Sequence, residues 1–399
     1  MTQPGNPSAF KNTPMNHYDL IVVGGGILGT FHAYHAATSG KSVLVLEKDN
    51  YPVSATVRNF GQIVPSGLSG QWFEYGVAAL DIYRHIQEQF DISVRHEGTV
   101  YIASDEDEQL LIHELKARYD VIGYHAELLS QQQVTSLYPC VRPGYANEAI
   151  FFPQEISVDP AVMIHRLQQF MRDNFALVNI LYNSPAVDCQ PANQGAVVTV
   201  SGGTSYRAEK VVICNGYEFK LLYPALFRQS GQTVSKLQMI RTVPMPQVAL
   251  KGNILTGLTT RRYESFQECP SFRNIALPER YRELAEWGIH ILFRQCADAS
   301  IIIGDSHEYA DVEHVDDLGF NIRQHVNELM FNEAQRIVDF DVRAISHTWA
   351  GFYAQHNEKY IFEYDVHDAI YIRTGIGGKG MTASAGYAKE SVKRIFGSR

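Results

Sequence analysis

The chain has 399 residues, with 34 basic and 43 acidic side chains and a formal net charge of −9. That length calls for about two to three domain-sized units rather than one core. An apolar fraction of 45% with 19% charged residues is ordinary globular usage, which excludes a disordered or fibrous chain, and an acidic balance without a Lys/Arg-rich run excludes a nucleic-acid footprint.

The first segment, Met1 to Asn16, is polar and carries Pro4, Pro7 and Pro14. It lacks the apolar stretch of a signal peptide or anchor, so residues 1–15 are expected to form a disordered tail, with Met15 an alternative start. No apolar run approaches the ~20 residues of a membrane span. The cysteines at 140, 189, 214, 269 and 296 form no CxxC pair. Scattered thiols fit a reducing compartment, so a cytoplasmic location is expected.

From Asp19 the chain reads Leu20-Ile21-Val22-Val23 and then Gly24-Gly25-Gly26-Ile27-Leu28-Gly29. Apolar residues without alternation indicate a strand buried on both faces of a parallel sheet. Gly24, Gly26 and Gly29 fall on the GxGxxG spacing: a tight turn, close approach of backbone to a pyrophosphate, and close helix–strand packing. The spacing predicts a helix over 27–39 ended by Gly40, with Ala33 keeping the same face small. Its N-terminal N–H groups would face the phosphates. A second strand over 41–47 ends in Glu47, 18 residues after Gly29, where a carboxylate accepts ribose hydroxyls and repels a 2′-phosphate. Strand, glycines, helix, strand and acid together predict a bound dinucleotide. NADP is disfavoured, while NAD and FAD both fit.

Further along, residues 98–103 read as a strand. Asp105-Glu106-Asp107-Glu108 reads as a solvated helix start. Asp159 and Pro160 are the expected N-cap and first residue of a helix running through Met171. Strands over 236–242, 290–294 and 301–304 suit an antiparallel sheet. Gly375, Gly377, Gly378 and Gly380 leave backbone N–H groups uncovered before a helix over 382–395, whose N-terminus offers a positive dipole end. There is no internal repeat, no His/Cys/Asp/Glu cluster with metal-ligand spacing and no GxSxG, so neither a metal nor acyl transfer is expected.

Three separated stretches carry a resemblance. They are Ser54-Ala55-Thr56-Val57-Arg58-Asn59-Phe60-Gly61-Gln62-Ile63, Val211-Val212-Ile213-Cys214-Asn215-Gly216, and Ile372-Arg373-Thr374-Gly375-Ile376-Gly377-Gly378-Lys379-Gly380-Met381-Thr382. With the first glycine motif they resemble, from about Tyr18 to Phe396, the D-amino-acid oxidase superfamily of FAD-dependent amine oxidoreductases. Glycine oxidase, sarcosine oxidase and D-amino-acid dehydrogenase belong to it. The resemblance implies an α/β fold, with a Rossmann-like FAD-binding domain (16–90, 145–220, 340–399) interleaved with an α+β substrate domain on an antiparallel sheet (91–144, 221–339). It implies FAD contacts from Gly24, Gly26, Ile27, Leu28, Gly29, Glu47 and Lys48 in the first unit. Ser54, Asn59, Gly61 and Gln62 follow in the loop, and Cys214, Asn215 and Gly216 mid-chain. Gly375, Gly377, Gly378, Lys379, Gly380, Met381 and Thr382 complete the set near the C-terminus.

The substrate side departs from the family pattern. Where glycine oxidase and D-amino-acid enzymes have a Trp-x-Gly-Leu-Arg-Pro-like stretch, this chain has Trp349-Ala350-Gly351-Phe352-Tyr353-Ala354. Tyr353 thus stands at the carboxylate-clamping Arg, and Tyr cannot replace a bidentate cation. Gly351 stands where the sarcosine branch has its flavin-linking Cys, so non-covalent FAD is expected. The candidate anion-holding cations are Lys379, Arg58, Arg261 and Arg262, and His307 and His347 are candidate pocket donors. No dedicated acid or base is nominated.

The loop wording around Ser54–Gly61 and Gly377–Thr382 resembles a bacterial clade of aminophosphonate oxidoreductases, linked to amines related to 2-aminoethylphosphonate. The implied activity is oxidative deamination of a small anionic amine, an aminophosphonate or an amino acid. Hydride would pass from the amine α-carbon to flavin N5, and electrons then to dioxygen or another acceptor. A sarcosine-like N-methyl oxidase and a non-catalytic flavin-binding scaffold are the alternatives.

Overall fold

The computed structural model describes residue 15 and residues 17–397. The expected tail over 1–15 therefore lies outside the described residues except for Met15, whose backbone N–H donates to the Tyr18 hydroxyl at 2.8 Å.

The chain opens on the predicted βαβ unit: β1 (His17–Val23), α1 (Ile27–Thr38) and β2 (Val43–Leu46). Leu20, Ile21 and Val22 are fully buried, as are Val43 and Leu44. Each such side chain contributes about 1.5–3 kcal/mol over an exposed one. That burial on both faces is why the run shows no polar alternation. Strand β3 (Thr99–Ala103) leads into α2 (Glu106–Ile122). Asp105 caps α2 by accepting from the Glu108 N–H. Glu108 itself is not solvated as expected: it is fully buried, because Arg261 supplies a counter-charge 3.1 Å away. Strand β4 (Glu148–Phe152) follows, then α3 (Pro160–Asn174), whose N-cap Asp159 makes no side-chain capping bond.

Strands β5 (Val178–Leu181) and β6 (Ser205–Ile213) precede a run of strands: β7 (Gln232–Thr242), β8 (Asn253–Thr256), β9 (Leu292–Gln295), β10 (Ile301–Gly304) and β11 (Ile345–His356). The chain ends with β12 (Ile370–Thr374) and α4 (Gly380–Phe396). Helix α4 starts two residues before the expected Thr382, since Gly380 already has helical dihedrals (φ −51°, ψ −51°).

Two large sheets organise these elements. In the first, β12, β6, β1, β2 and β5 lie side by side and all four pairings are parallel. Helix α1 packs between this sheet and α4. His32 bridges them, its ring nitrogens meeting Leu28 O at 2.8 Å and Ser391 Oγ at 3.0 Å. Burial pushes the His32 pKa down to about 3, so it packs as a neutral ring.

The second sheet orders β7, β10, β9, β8, β3 and β4, with β11 alongside β7 over eleven paired residues, Gln232↔His356 through Thr242↔Ile345. It is antiparallel except for β8 against β3, which run parallel. Strands β4 and β11 belong to this sheet although residues 145–220 and 340–399 are assigned to the other domain by sequence. The chain thus changes sheet after 152 and again after 356. The reason is pairing: β4 completes β3, and β11 has the whole length of β7 to pair with. All five cysteines are free and buried, and no helix among the described residues is long and apolar enough to cross a membrane.

Candidate functional site: a cleft between the two sheets

A single cleft of about 440 Å³ runs from the N-terminus of α1 to the inner face of the second sheet. At one end lie Gly26, Ile27, Leu28 and Gly29. The glycines there are sterically required. A Cβ on Gly24, whose φ is +106°, would meet Cys214 O at 2.3 Å, and one on Gly29 would meet Gly24 O at 2.0 Å. The turn out of β1 is therefore as tight as the motif demands, and the first residues of α1 line the cleft, with the Ile27 N–H donating to Thr56 Oγ1 at 2.9 Å.

Lys48, Ser54, Asn59, Gly61 and Gln62 line the next stretch, with Cys214, Asn215 and Gly216 opposite. Asn59 organises its loop, donating to Ala55 O and Thr56 O and accepting from the Gly61 N–H at 2.7 Å. Gly375, Gly377, Gly378, Lys379, Gly380, Met381 and Thr382 close that side. Two of the sequence candidates stand back. Gly24 is covered by its own turn. The Glu47 carboxylate is turned onto backbone, accepting from Gly25 N–H at 2.8 Å and Asp49 N–H at 3.0 Å.

The far end is polar and mixed in charge. Lys379 Nζ lies 2.7 Å from Glu264 Oε1 and 5.0 Å from the centre of the Tyr360 ring. Arg262 donates to the Tyr309 hydroxyl at 3.0 Å. His307 sits between Gly288 O (2.9 Å from Nδ1) and the Tyr353 hydroxyl (3.0 Å from Nε2). With Nδ1–H donating to the carbonyl, Nε2 accepts from Tyr353. Burial drives the His307 pKa down to about 3 and raises that of Tyr353, so both are neutral near pH 7.

Three sequence candidates need correction. Arg261 is not in the cleft: its side chain is 5% exposed and spent on Asp105 and Glu108 at 2.9 and 3.1 Å. His347 is also outside. It lies at the start of β11 with its ring against Trp349 and its Nδ1 2.8 Å from Ser346 Oγ. Arg58 does line the cleft, but its guanidinium donates to Val53 O and Ala350 O at 2.7 and 3.0 Å, which ties the loop to β11.

The sequence reading missed His290 and Asp305. They are 15 residues apart in sequence, yet they flank the β9–β10 hairpin and exchange backbone hydrogen bonds across it at 3.1 and 2.9 Å. His290 Nε2 lies 2.9 Å from Asp305 Oδ1, and with His307 the three offer ligand atoms all within 4.8 Å of one another. Cross-strand pairing of β9 with β10, which the sequence does suggest, was the signal that could have found them.

One wall is braced by a buried acid. Glu155, fully buried, accepts from Ser66 N–H at 2.7 Å and Tyr124 O–H at 3.0 Å, beneath Gly67 and Tyr263 of the cleft. Burial raises its pKa to about 7. The folded state therefore holds this proton over a range where the unfolded chain has lost it, and stability falls as pH rises from about 4.5 through 7. Glu155→Gln is expected to flatten that fall. Thermal denaturation from pH 4.5 to 8 checks it, and an unchanged slope would count against the buried proton.

A parallel sheet with a glycine turn aimed at a cleft, and a second sheet closing that cleft, is the architecture of a dinucleotide-binding protein. The chain belongs to the DAO family of FAD dependent oxidoreductases, whose family model matches residues 19–394. A glycine oxidase of Bacillus licheniformis is 29% identical over 223 residues, covering 54% of this chain and 57% of the relative. The chain thus matches little more than half of that relative's length. Among solved structures, glycine oxidase from Bacillus cereus superposes with a TM-score of 0.75 at 19% identity, over 96% of each chain. L-α-glycerophosphate oxidase from Mycoplasma pneumoniae, solved with FAD bound, gives 0.76 at 16% identity, also over 96% of each chain. At these identities the structures establish the shared fold. The glycine cradle that a Cβ would fill and a cleft lined continuously from Gly26 to Thr382 fit FAD.

Proposed function

We propose that the protein is a FAD-dependent amine oxidoreductase that deaminates a small anionic amine, an aminophosphonate or an amino acid. The observation that carries this reading is the continuity of the cleft from the glycine turn to Lys379 and Arg262. FAD, when bound, supplies the acceptor for a hydride leaving the amine α-carbon, and the imine product hydrolyses to a carbonyl compound and ammonia or a methylated amine.

The chain's own residues do the rest. Gly26 to Gly29 and the amides of α1 would hold the diphosphate, and the loops at 54–62 and 214–216 would flank the cofactor. The segment 375–382 leads into the N-terminus of α4, whose dipole favours negative charge. Leu237, Leu292 and Tyr263 line the inner end and keep it poor in water, which strengthens each charged contact there. Tyr353 donates its hydroxyl to His307 and offers no charge, so a carboxylate clamp of the glycine-oxidase kind is missing. The anion would instead be met by Lys379 and Arg262. A phosphonate carries more charge than a carboxylate and has three oxygens, so it can engage both cations at once. A cytoplasmic location is part of this reading, in line with five unpaired thiols.

An anaerobic panel of amines, amino acids, aminophosphonates and N-methyl variants, read at the flavin band, tests it. Bleaching by a small anionic amine is expected. Formaldehyde among the products would assign N-demethylation instead. A yellow protein indifferent to every amine would point to a scaffold.

A further inference from the structure

The substrate end of the cleft holds two acids as well as two cations. Glu264 is already matched by Lys379. Asp305 is not. Among the described residues its only ion-pair neighbours within 4.0 Å are imidazoles, His290 at 2.9 Å and His307 at 3.9 Å. His307 is neutral, with both ring nitrogens engaged by Gly288 O and the Tyr353 hydroxyl. Burial pushes the Asp305 carboxyl up, but the His290 hydrogen bond and the nearby Arg262 guanidinium outweigh this and hold it below the usual carboxylate range. The cleft therefore presents a buried, ionised carboxylate with no lysine or arginine bound to it. A buried carboxylate with only imidazoles within 4.0 Å has room for a further cation, and a ligand ammonium would lower the cost of its burial.

A metal ion is the competing occupant, since His290, Asp305 and His307 are close enough to share one. The imidazoles argue against it. Their rings stack at 5.6 Å with planes 21° apart, and His307 would have to give up Gly288 O or the Tyr353 hydroxyl to become a ligand. An ammonium group needs no such change, because it donates to the carboxylate as it stands.

We propose that Asp305 is the counter-ion for the substrate's ammonium group, so that the cleft selects a zwitterion, with the amine at Asp305 and the anion on the Lys379 and Arg262 side. This rests on the amine-oxidation reading above and adds the residue that distinguishes an amine from an amine-free anion. Asp305 reads the arriving cation. The proton that the nitrogen must shed before hydride loss passes to the Asp305 carboxylate that holds it, leaving a neutral amine and a neutral carboxyl.

The test uses the FAD-loaded full chain under anaerobic conditions. The probes are 2-aminoethylphosphonate, followed by flavin reduction, and ethylphosphonate, its amine-free counterpart, followed by competition. The wild type is expected to hold the amine at least about tenfold more tightly than ethylphosphonate. Asp305→Asn should lose at least about tenfold for the amine and leave ethylphosphonate within about threefold, since only a charge-assisted contact to nitrogen is removed. Equal losses for both ligands, or none for the amine, overturn the assignment while leaving the proposed function standing. If the wild type binds neither ligand, the aminophosphonate reading and the assignment fall together. Should Asp305→Asn not fold, Asp305→Glu keeps the charge but moves it. A selective loss for the amine supports the role, and unchanged preference for the amine overturns it. Zinc or manganese that co-purifies with the wild type and is lost from the variant would assign the site to a metal and also overturn it.

Discussion

Gly29→Val is expected to yield a protein that folds with its sheets intact but retains little FAD. The Cβ of residue 29 would lie 2.0 Å from Gly24 O and 3.1 Å from a Val22 methyl carbon. Neither can give way cheaply. Gly24 donates its N–H to Leu46 O at 2.8 Å, which fixes the turn to β2, and Val22 is fully buried in β1. Helix α1 must then move away from the strand end, and with it the residues that line the cleft. Overpacking of this kind costs about 1–3 kcal/mol, more where a backbone atom is struck. Since about 1.4 kcal/mol is tenfold in affinity, FAD binding should weaken by at least about tenfold. Flavin content after gel filtration and titration of the apoprotein measure this. Gly40→Ala is the control: a Cβ there meets nothing within 4 Å, and its φ of +78° strains only the end of α1. Its FAD content should match the wild type. A Gly29→Val protein as yellow as that control would remove the close approach from the account of cofactor binding.

The cofactor end was readable because its chemistry is contiguous. Turn and helix start follow one another within residues 20–29, and each needs a residue type that few other settings require, whereas the Glu47 carboxylate expected beyond them is turned onto backbone. The substrate end is assembled differently. Arg261 and Arg262 are neighbours in sequence and equally plausible as cations, yet one faces α2 and the other the cleft. The burial of Glu108 beneath α2 decides which, and that burial depends on tertiary packing. His290 and Asp305 come together only because β9 and β10 pair as a hairpin, with Leu292 opposite Gly304. Likewise the acidic run at 105–108 looks like a solvated helix start until the partner of Glu108 is known. The sheet assignment of β4 and β11 was hidden for the same reason: pairing register cannot be read from either strand alone.

Lys379→Met is expected to weaken binding of anionic amines by at least about 30-fold, the low end of what truncating one member of a buried charge pair costs. Two effects combine. The cation that would meet the anion is lost, and Glu264 is left in the cleft without its partner at 2.7 Å. The second effect is separable, because the uncompensated carboxylate repels an anion at close range while acting far less on a neutral amine. Glu264→Gln alone should therefore tighten binding of anionic amines several-fold, by releasing Lys379 from competition. The double variant should fall between the two singles. Apparent affinities from anaerobic flavin reduction, measured for an anionic amine and for a neutral amine of similar size, complete the cycle. Neutral amines should change by less than about threefold in every variant. If Lys379→Met weakens both classes alike, the lysine acts through the shape of the 375–382 turn rather than through its charge. If the double variant simply adds the two single effects, Glu264 and Lys379 act independently on the substrate despite their contact.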